Sequence, residues 1–537
     1  MRKTKKTLKL LLVSFLALSL LLVGCSNNNE AGGDAGSPSE GDSKKDTLVF
    51  GRGGDSTSLD PISTTEGETF KVTKNIFETL IEYGDQDTTL HPGLAEEWTT
   101  EDGLTYTFKL RQGVKFHDGT DFNSEAVVFN FERWMNGNAD DFPYYSMFGG
   151  YKGEEGHVIK EVKAVDEHTV QFVLNRQQAP FLKNLAMSPF GIASPAAIEK
   201  HGDKFRENPV GTGPFKFVEW KPNDRIVIEK FEDYWMEGYP KLNKVIFRAI
   251  PENSARLNAL VNGEIDLMDG VNNSDEATIT GNDNLQVFQR PSMNVGYLGF
   301  ATNRAPFDNK LVRQALNHAI DKEAIIESFY GGQAEPAKNA MPPSIEGYND
   351  DIEAYPYDLE KAKELLAEAG HPDGFKMDLW AMPVPRPYMP EGMKVAEVIQ
   401  ESFRKIGVEA EIQSVDWATY LDKASKGEFD AFMLGWTGDN GDADNFLYTL
   451  LDKDSIGSNN YSQFSNDELH DVLIEAQTEP EQEKRNELYK KAQEIIHDEA
   501  PWVPLVHSTP LLAGGKDLEN FLAHPTGSDT LTKVEFK

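Results

Sequence analysis

Apolar and polar residues alternate, among many β-branched and aromatic side chains, at 47–50, 105–110, 169–174, 225–229 and 244–249, which predicts five half-buried strands. Between and after them the period lengthens to that of a helix, with one apolar face each at 124–134, 254–262, 309–319, 359–369 and 390–406. Asp358 is placed to cap the helix that Gly370 stops. Ile406-Gly407-Val408 ends another helix and opens a strand at 408–413. A helix over 416–426, a strand over 429–434, helices over 468–477 and 481–499 and an apolar strand-like run at 502–506 complete the pattern. Helix and strand alternating in this way predict an α/β fold, and no repeat with a period of 20–50 residues interrupts it.

The first residues follow a different rule. Arg2, Lys3, Lys5, Lys6 and Lys9 stand before the apolar run 10–23, the order of charge and apolar residues in a secretory signal peptide. The run falls short of the ~20 apolar residues of a membrane span. It ends in Leu22-Val23-Gly24-Cys25, which resembles a lipobox. Cys25 is the single cysteine of 537 residues, so no intrachain disulfide can form, and a solitary thiol at this place suits lipid attachment better than redox chemistry. We therefore expect a signal peptide at 1–24 and lipidation of Cys25. Residues 25–46 contain almost nothing large and apolar, too little to offset the entropy of ordering, and are expected to form a flexible linker.

Charge narrows the partners. The chain has 53 Lys and Arg against 88 Asp and Glu, and loss of the leader leaves 48 against 88, a net charge of −40. Such an excess argues against nucleic acid or an anionic membrane surface as the main partner. With 39% hydrophobic and 10% aromatic residues, the remainder is long enough for two or three domains with sizeable cores.

Motifs for catalysis are missing. There is no Gly-x-Ser-x-Gly elbow and no Walker loop, and Gly211-Thr212-Gly213-Pro214-Phe215-Lys216 lacks the third glycine of a dinucleotide fingerprint. No two of the eleven histidines lie within five positions, which removes local zinc motifs. The loop Gly438-Asp439-Asn440-Gly441-Asp442-Ala443-Asp444-Asn445 fails as a calcium loop in both registers, for want of the turn glycine and the terminal glutamate. We expect neither enzyme nor cofactor, and no metal site.

Several stretches are nevertheless distinctive. Ala95-Glu96-Glu97-Trp98, Asp102-Gly103-Leu104-Thr105-Tyr106-Thr107-Phe108, Leu110-Arg111-Gln112-Gly113-Val114-Lys115-Phe116-His117-Asp118-Gly119 and Asn208-Pro209-Val210-Gly211-Thr212-Gly213-Pro214-Phe215 resemble the family 5 extracellular solute-binding proteins, the capture subunits of ABC importers. The likeness runs from Thr47 to Lys537 and, with the lipobox, looks closest to the dipeptide- and oligopeptide-binding lipoproteins of Gram-positive bacteria. It implies a two-lobed, type II periplasmic-binding-protein-like fold. Lobe I would comprise 47–80, 208–292 and 509–537, with an extra subdomain at 81–207, and lobe II would comprise 293–508. The chain would be a monomer that closes over a short peptide and presents it to permease subunits from the outer face of the cell membrane.

The resemblance also implies site residues. Arg386, in Pro385-Arg386-Pro387-Tyr388, falls where dipeptide-binding members hold the peptide's carboxylate. Asp439, first aspartate of Gly438-Asp439-Asn440-Gly441-Asp442, falls where they hold its α-ammonium. A guanidinium fork suits a carboxylate, and a carboxylate accepts from an ammonium. Trp436, Tyr388, Gly438 and Thr65 are implied as further ligand-side positions. Related sequences take nickel chelates, glutathione or haem, so these remain alternative ligands.

Overall fold

The computed structural model describes residues 45–537, so the leader, Cys25 and nearly all of the expected linker lie outside the described residues. Two mixed sheets organise the rest. In the seven-stranded sheet, Thr47–Arg52 is central and pairs in parallel with Lys244–Ala249 and Leu267–Val271. Arg225–Lys230 and Phe215–Lys221 extend one side, and Leu511–Gly515 and Leu285–Gln289 the other, all antiparallel. In the six-stranded sheet, Asn294–Phe300 lies between Trp502–Ser508 and Ala431–Thr437, and Lys376–Trp380 runs parallel to both Ala431–Thr437 and Glu409–Gln413. A four-stranded antiparallel sheet, Ala95–Thr100, Thr105–Leu110, Thr169–Leu174 and Ile159–Asp166, packs with the helix Ser124–Met135 around Phe108, Phe131, Trp134 and Phe172.

The chain passes between the two large sheets twice, at 290–293 and at 509–510, and the crossings lie side by side. The Arg290 amide donates to the Pro510 carbonyl (2.9 Å), and the Asn294 side-chain amide donates to the Ser508 carbonyl (2.9 Å). Arg290 also forms a two-pronged buried pair with Asp529 (2.7 and 2.9 Å).

Most expected elements occur within three residues of their expected ends, including Thr105–Leu110, Thr169–Leu174 and Lys244–Ala249. Asp358 caps its helix, accepting from the amides of Glu360 and Lys361, and Gly370 ends it at φ +93°. The helix expected from 390 begins at Gly392, because Glu391 has a non-helical backbone. Several strands escape the alternation test. Asn294–Phe300 is buried at all seven residues and so shows no alternation, as expected of a strand covered on both faces. Ala95–Thr100 is mostly exposed and carries two glutamates.

Candidate ligand-binding site

Because Lys376–Trp380 and Ala431–Thr437 are adjacent and parallel, the segments that follow them leave the same sheet edge. That edge, at the carboxyl ends of parallel strands, is where open α/β sheets hold ligands. The first segment carries Arg386 and Tyr388, and the second carries Gly438 and Asp439.

Arg386 is exposed. Its backbone pairs with Met389 in both directions (3.1 and 2.9 Å), a small closed turn consistent with the restraint of Pro385 and Pro387. Its guanidinium lies 5.2 Å from the Trp417 ring centre, a cation–π contact that holds the side chain, and it also donates to the Tyr388 hydroxyl, which leaves part of its N–H fork for another partner. Tyr388 is buried. Its ring fills the space beside Gly435, where a Cβ would come within 2.2 Å of it, and its carbonyl accepts from the Tyr330 hydroxyl (2.9 Å). Burial pushes its phenol up to about 12, with nearby Arg386 acting the other way.

Asn445 organises the second segment. Its carbonyl oxygen accepts from the Trp436 indole N–H (3.0 Å) and from the Asp439 amide (2.9 Å), while its NH2 donates to Asp439 Oδ2 (3.2 Å). One buried amide thus fixes both the Trp436 ring and the Asp439 carboxylate. The other carboxylate oxygen, Oδ1, accepts from the Tyr144 hydroxyl (2.9 Å), and Phe70 packs edge-on against the Tyr144 ring (5.6 Å). Burial pushes the Asp439 carboxyl up to about 6, and the bonds from Tyr144 and Asn445 offset part of that shift. Gly438 is buried against Phe446 and Met293, so its missing side chain serves core packing. Gly441, at φ +65°, turns the loop beneath Thr88, which would clash with any Cβ there.

Two aspartates of this loop are occupied. Asp442 makes a two-pronged pair with Arg485 (2.8 and 2.6 Å); burial pushes its carboxyl up, but the cations of Arg485 and Lys183 and the hydrogen bonds it accepts together hold it below its ordinary value. Asp444 accepts from Gln477 (2.9 Å), and burial, with repulsion from Asp442, pushes it up to about 7. Neither bond pattern suits a calcium loop. Residues near the four-stranded sheet close over this loop. Lys183 Nζ donates to the Gly441 carbonyl (2.8 Å), Asn440 donates to Asn184 (2.7 Å), and the Ala179 amide donates to the Gln477 carbonyl (2.7 Å). Thr65 is exposed in the segment leading to the helix Gly67–Thr73, next to Glu66, whose charge acts on Tyr144.

The site therefore offers an anion and a cation at one sheet edge, aromatic side chains around them, and closure by residues distant in the chain. The model of the bacterial extracellular solute-binding proteins, family 5 middle, matches residues 89–458. This chain belongs to the family 5 extracellular solute-binding proteins. It is 40% identical to a dipeptide-binding protein of Escherichia coli, over 91% of this chain and 95% of that one. It is 37% identical to heme-binding protein A of Haemophilus influenzae, over 99% of both. Among solved structures it is similar to an ABC transporter-associated periplasmic binding protein of Helicobacter pylori in complex with the peptide STSA, with TM-score 0.81, 37% identity, and coverage of 92% of this chain and 98% of that one. The fold is accordingly the two-lobed type II binding-protein fold, and this family 5 protein is a transport binding protein, not an enzyme.

Asn445 and Tyr144 were not singled out by the sequence. Asn445 lies six residues beyond Asp439, and its role depends on the turn at Gly441. Tyr144 is about 300 positions away, in an aromatic run that reads as core.

Proposed function

We propose that this family 5 protein captures di- or oligopeptides between its lobes and delivers them to an ABC permease. The lobes follow the boundaries expected above, and Asp439 receives the α-ammonium while Arg386 receives the carboxylate. The observation that carries the reading is the Asp439 carboxylate, fixed by Asn445 and touched by Tyr144, at the same sheet edge as an Arg386 whose guanidinium is stacked and exposed. A zwitterion matches this pair of charges. The names of the E. coli and H. pylori relatives add weight to a peptide ligand. A thermal-shift panel of di- to pentapeptides tests it. Cognate peptides at 100 times Kd stabilise the folded form by about 2.7 kcal/mol, which raises the melting temperature. Stabilisation by haem or a nickel chelate and by no peptide would replace the peptide with that ligand.

Affinity should also follow pH. Free Asp439 titrates near 6, above its ordinary value, and only the ionised form attracts an ammonium. Peptide affinity should hold above about pH 7 and fall as pH drops through 6, approaching about tenfold per unit below it. Calorimetry between pH 5 and 8 reads this, and a flat profile would dissociate Asp439 from the ammonium.

We further propose that the protein is held at the outer face of the membrane through lipid on Cys25. A diacyl group is the membrane affinity compatible with a charge of −40. Cys25→Ser should free the protein into the medium or leave it unprocessed, as fractionation and mass spectrometry of the N-terminus would record. A cleaved form of the Cys25→Ser variant that stays on the membrane would refute lipid anchoring.

A further inference from the structure

Away from the 438–445 loop, a cavity of about 310 Å³ lies between the paired strands Ile81–Tyr83 and Leu90–Pro92, residues 234–236 and the C-terminal residues 524–533. Its size is at the lower end of ligand pockets, which begin at about 300 Å³. Two lysines and three carboxylates line it. Lys533 pairs with Asp85 (2.7 Å) and Lys74 pairs with Glu82, so both cations are engaged. Glu78 is left over. It is buried, and among the described residues no cation lies within ion-pair distance of it.

Three neutral donors serve Glu78. The Tyr234 hydroxyl and Trp235 indole N–H reach Oε1 (2.8 and 2.9 Å), and the Thr212 hydroxyl reaches Oε2 (2.8 Å), with the indole N–H also 3.1 Å from Oε2. The indole N–H is shared between the two oxygens, so three protons, none of them carried by a cation, serve the whole carboxylate. Burial of this charge, with repulsion from Glu82, pushes the carboxyl up to about 7. His524 and Arg111 do not supply the missing positive charge. His524 bonds Thr526 (2.7 Å) and the Asp87 carbonyl (3.0 Å), and burial pushes its ring down to about 4, keeping it neutral. Arg111 lies over the Trp235 ring (4.0 Å) with its own partner Glu96 (3.3 Å).

We propose that this cavity is a second binding site, for a small molecule bearing a primary ammonium group. The ammonium would bring Glu78 the positive charge it lacks, donating to Oε2, where the indole N–H makes its longer contact (3.1 Å), and its apolar body would lie among Tyr83, Tyr234 and Trp235, all of which line the cavity. An anion is disfavoured, because both lysines of the lining are already paired with carboxylates. A quaternary ammonium has no N–H for Glu78 and so is a poorer fit than a primary one.

The test compares three probes of one shape and different charge, benzylamine, benzyl alcohol and benzoate, by calorimetry on the full chain. Benzylamine should bind one to one, and the alcohol and benzoate at least about tenfold more weakly. Glu78→Gln should weaken benzylamine by a similar factor. Thr530→Trp, which adds bulk to the cavity wall without touching the hydrogen bonds of Glu78, should abolish binding and guards against a Glu78 variant that fails to fold. Asp439→Asn should leave benzylamine binding unchanged, which separates this site from the proposed peptide site and makes the result independent of that reading. Absence of benzylamine binding, equal binding of all three probes, or loss in Asp439→Asn with retention in Thr530→Trp would each overturn the proposal.

Discussion

Arg485→Ala is expected to lower stability by about 3–5 kcal/mol, the loss typical of removing one partner from a buried ion pair. Arg485 is buried. It grips both oxygens of Asp442, reaches the Ala476 carbonyl with Nε (3.2 Å) and touches the Tyr489 hydroxyl (2.6 Å). Without it the Asp442 carboxylate stays buried, with only the distant Lys183 (3.9 Å) as countercharge. Removing both charges, as in Arg485→Met with Asp442→Leu, should restore much of the loss, since no uncompensated ion then remains. The contribution has a sign in pH. Asp442 is held below its ordinary value, so the stabilisation is present above about pH 4 and is lost as pH falls. Urea denaturation of both variants at pH 7 measures this. A loss below about 1 kcal/mol for the single variant, or a double variant worse than the single, would mean that the pair does not anchor the loop.

The consequence reaches the ligand site because Asp442 and Asp439 belong to one turn. Arg485 fixes the far end of that turn, Asn445 fixes the near end, and Gly441 supplies the positive φ between them. An Asp-Gly-rich stretch in isolation would wander among turn conformations. Here its three aspartates are driven apart in chemistry by their surroundings. Asp442 is ionised against Arg485, Asp444 is pushed up beside it, and Asp439 is left with neutral donors and an open need for positive charge.

How much of this was legible in the sequence depended on how local the causes are. Asp358 and Gly370 flank the single helix Leu359–Glu368, and both behave as their chemistry predicts. Strands that alternate announced themselves, whereas Asn294–Phe300, covered on both faces, and Leu267–Val271, only five residues long and containing Gly270, did not. Arg386 and Asp439 became candidates through the family likeness alone, since an arginine between prolines and an aspartate between glycines are ordinary loop residues. Tyr144, Lys183 and Asn184 were out of reach, because what brings them to the 439–441 turn is the packing of separate sheets. The cavity beside Glu78 was equally hidden. Its walls come from segments near 80, 235 and 530, and Glu78 in the sequence is one acid among 88.

Asp439→Asn should cost about 3–5 kcal/mol in binding a free dipeptide, a fall of more than about a hundredfold in affinity. The ligand's ammonium gives up water on entering the closed site, and a neutral amide there leaves its charge uncompensated. The substitution keeps the shape, and Asn445 and Tyr144 can still bond the new side chain, so the loss measures charge and not collapse of the loop. Arg386→Lys keeps the charge and loses the planar fork, so it should be milder than Arg386→Ala while still measurable. Capped peptides separate the two ends. An N-acetylated dipeptide already lacks the ammonium; it should bind the wild type poorly and lose far less from Asp439→Asn than the free peptide does. A C-terminally amidated dipeptide should show the same non-additivity with Arg386→Ala and none with Asp439→Asn. Calorimetry on these cycles decides between pairing and proximity. If capped and free peptides suffer equal penalties in both variants, Asp439 and Arg386 do not hold the peptide termini, and the zwitterion clamp must be given up.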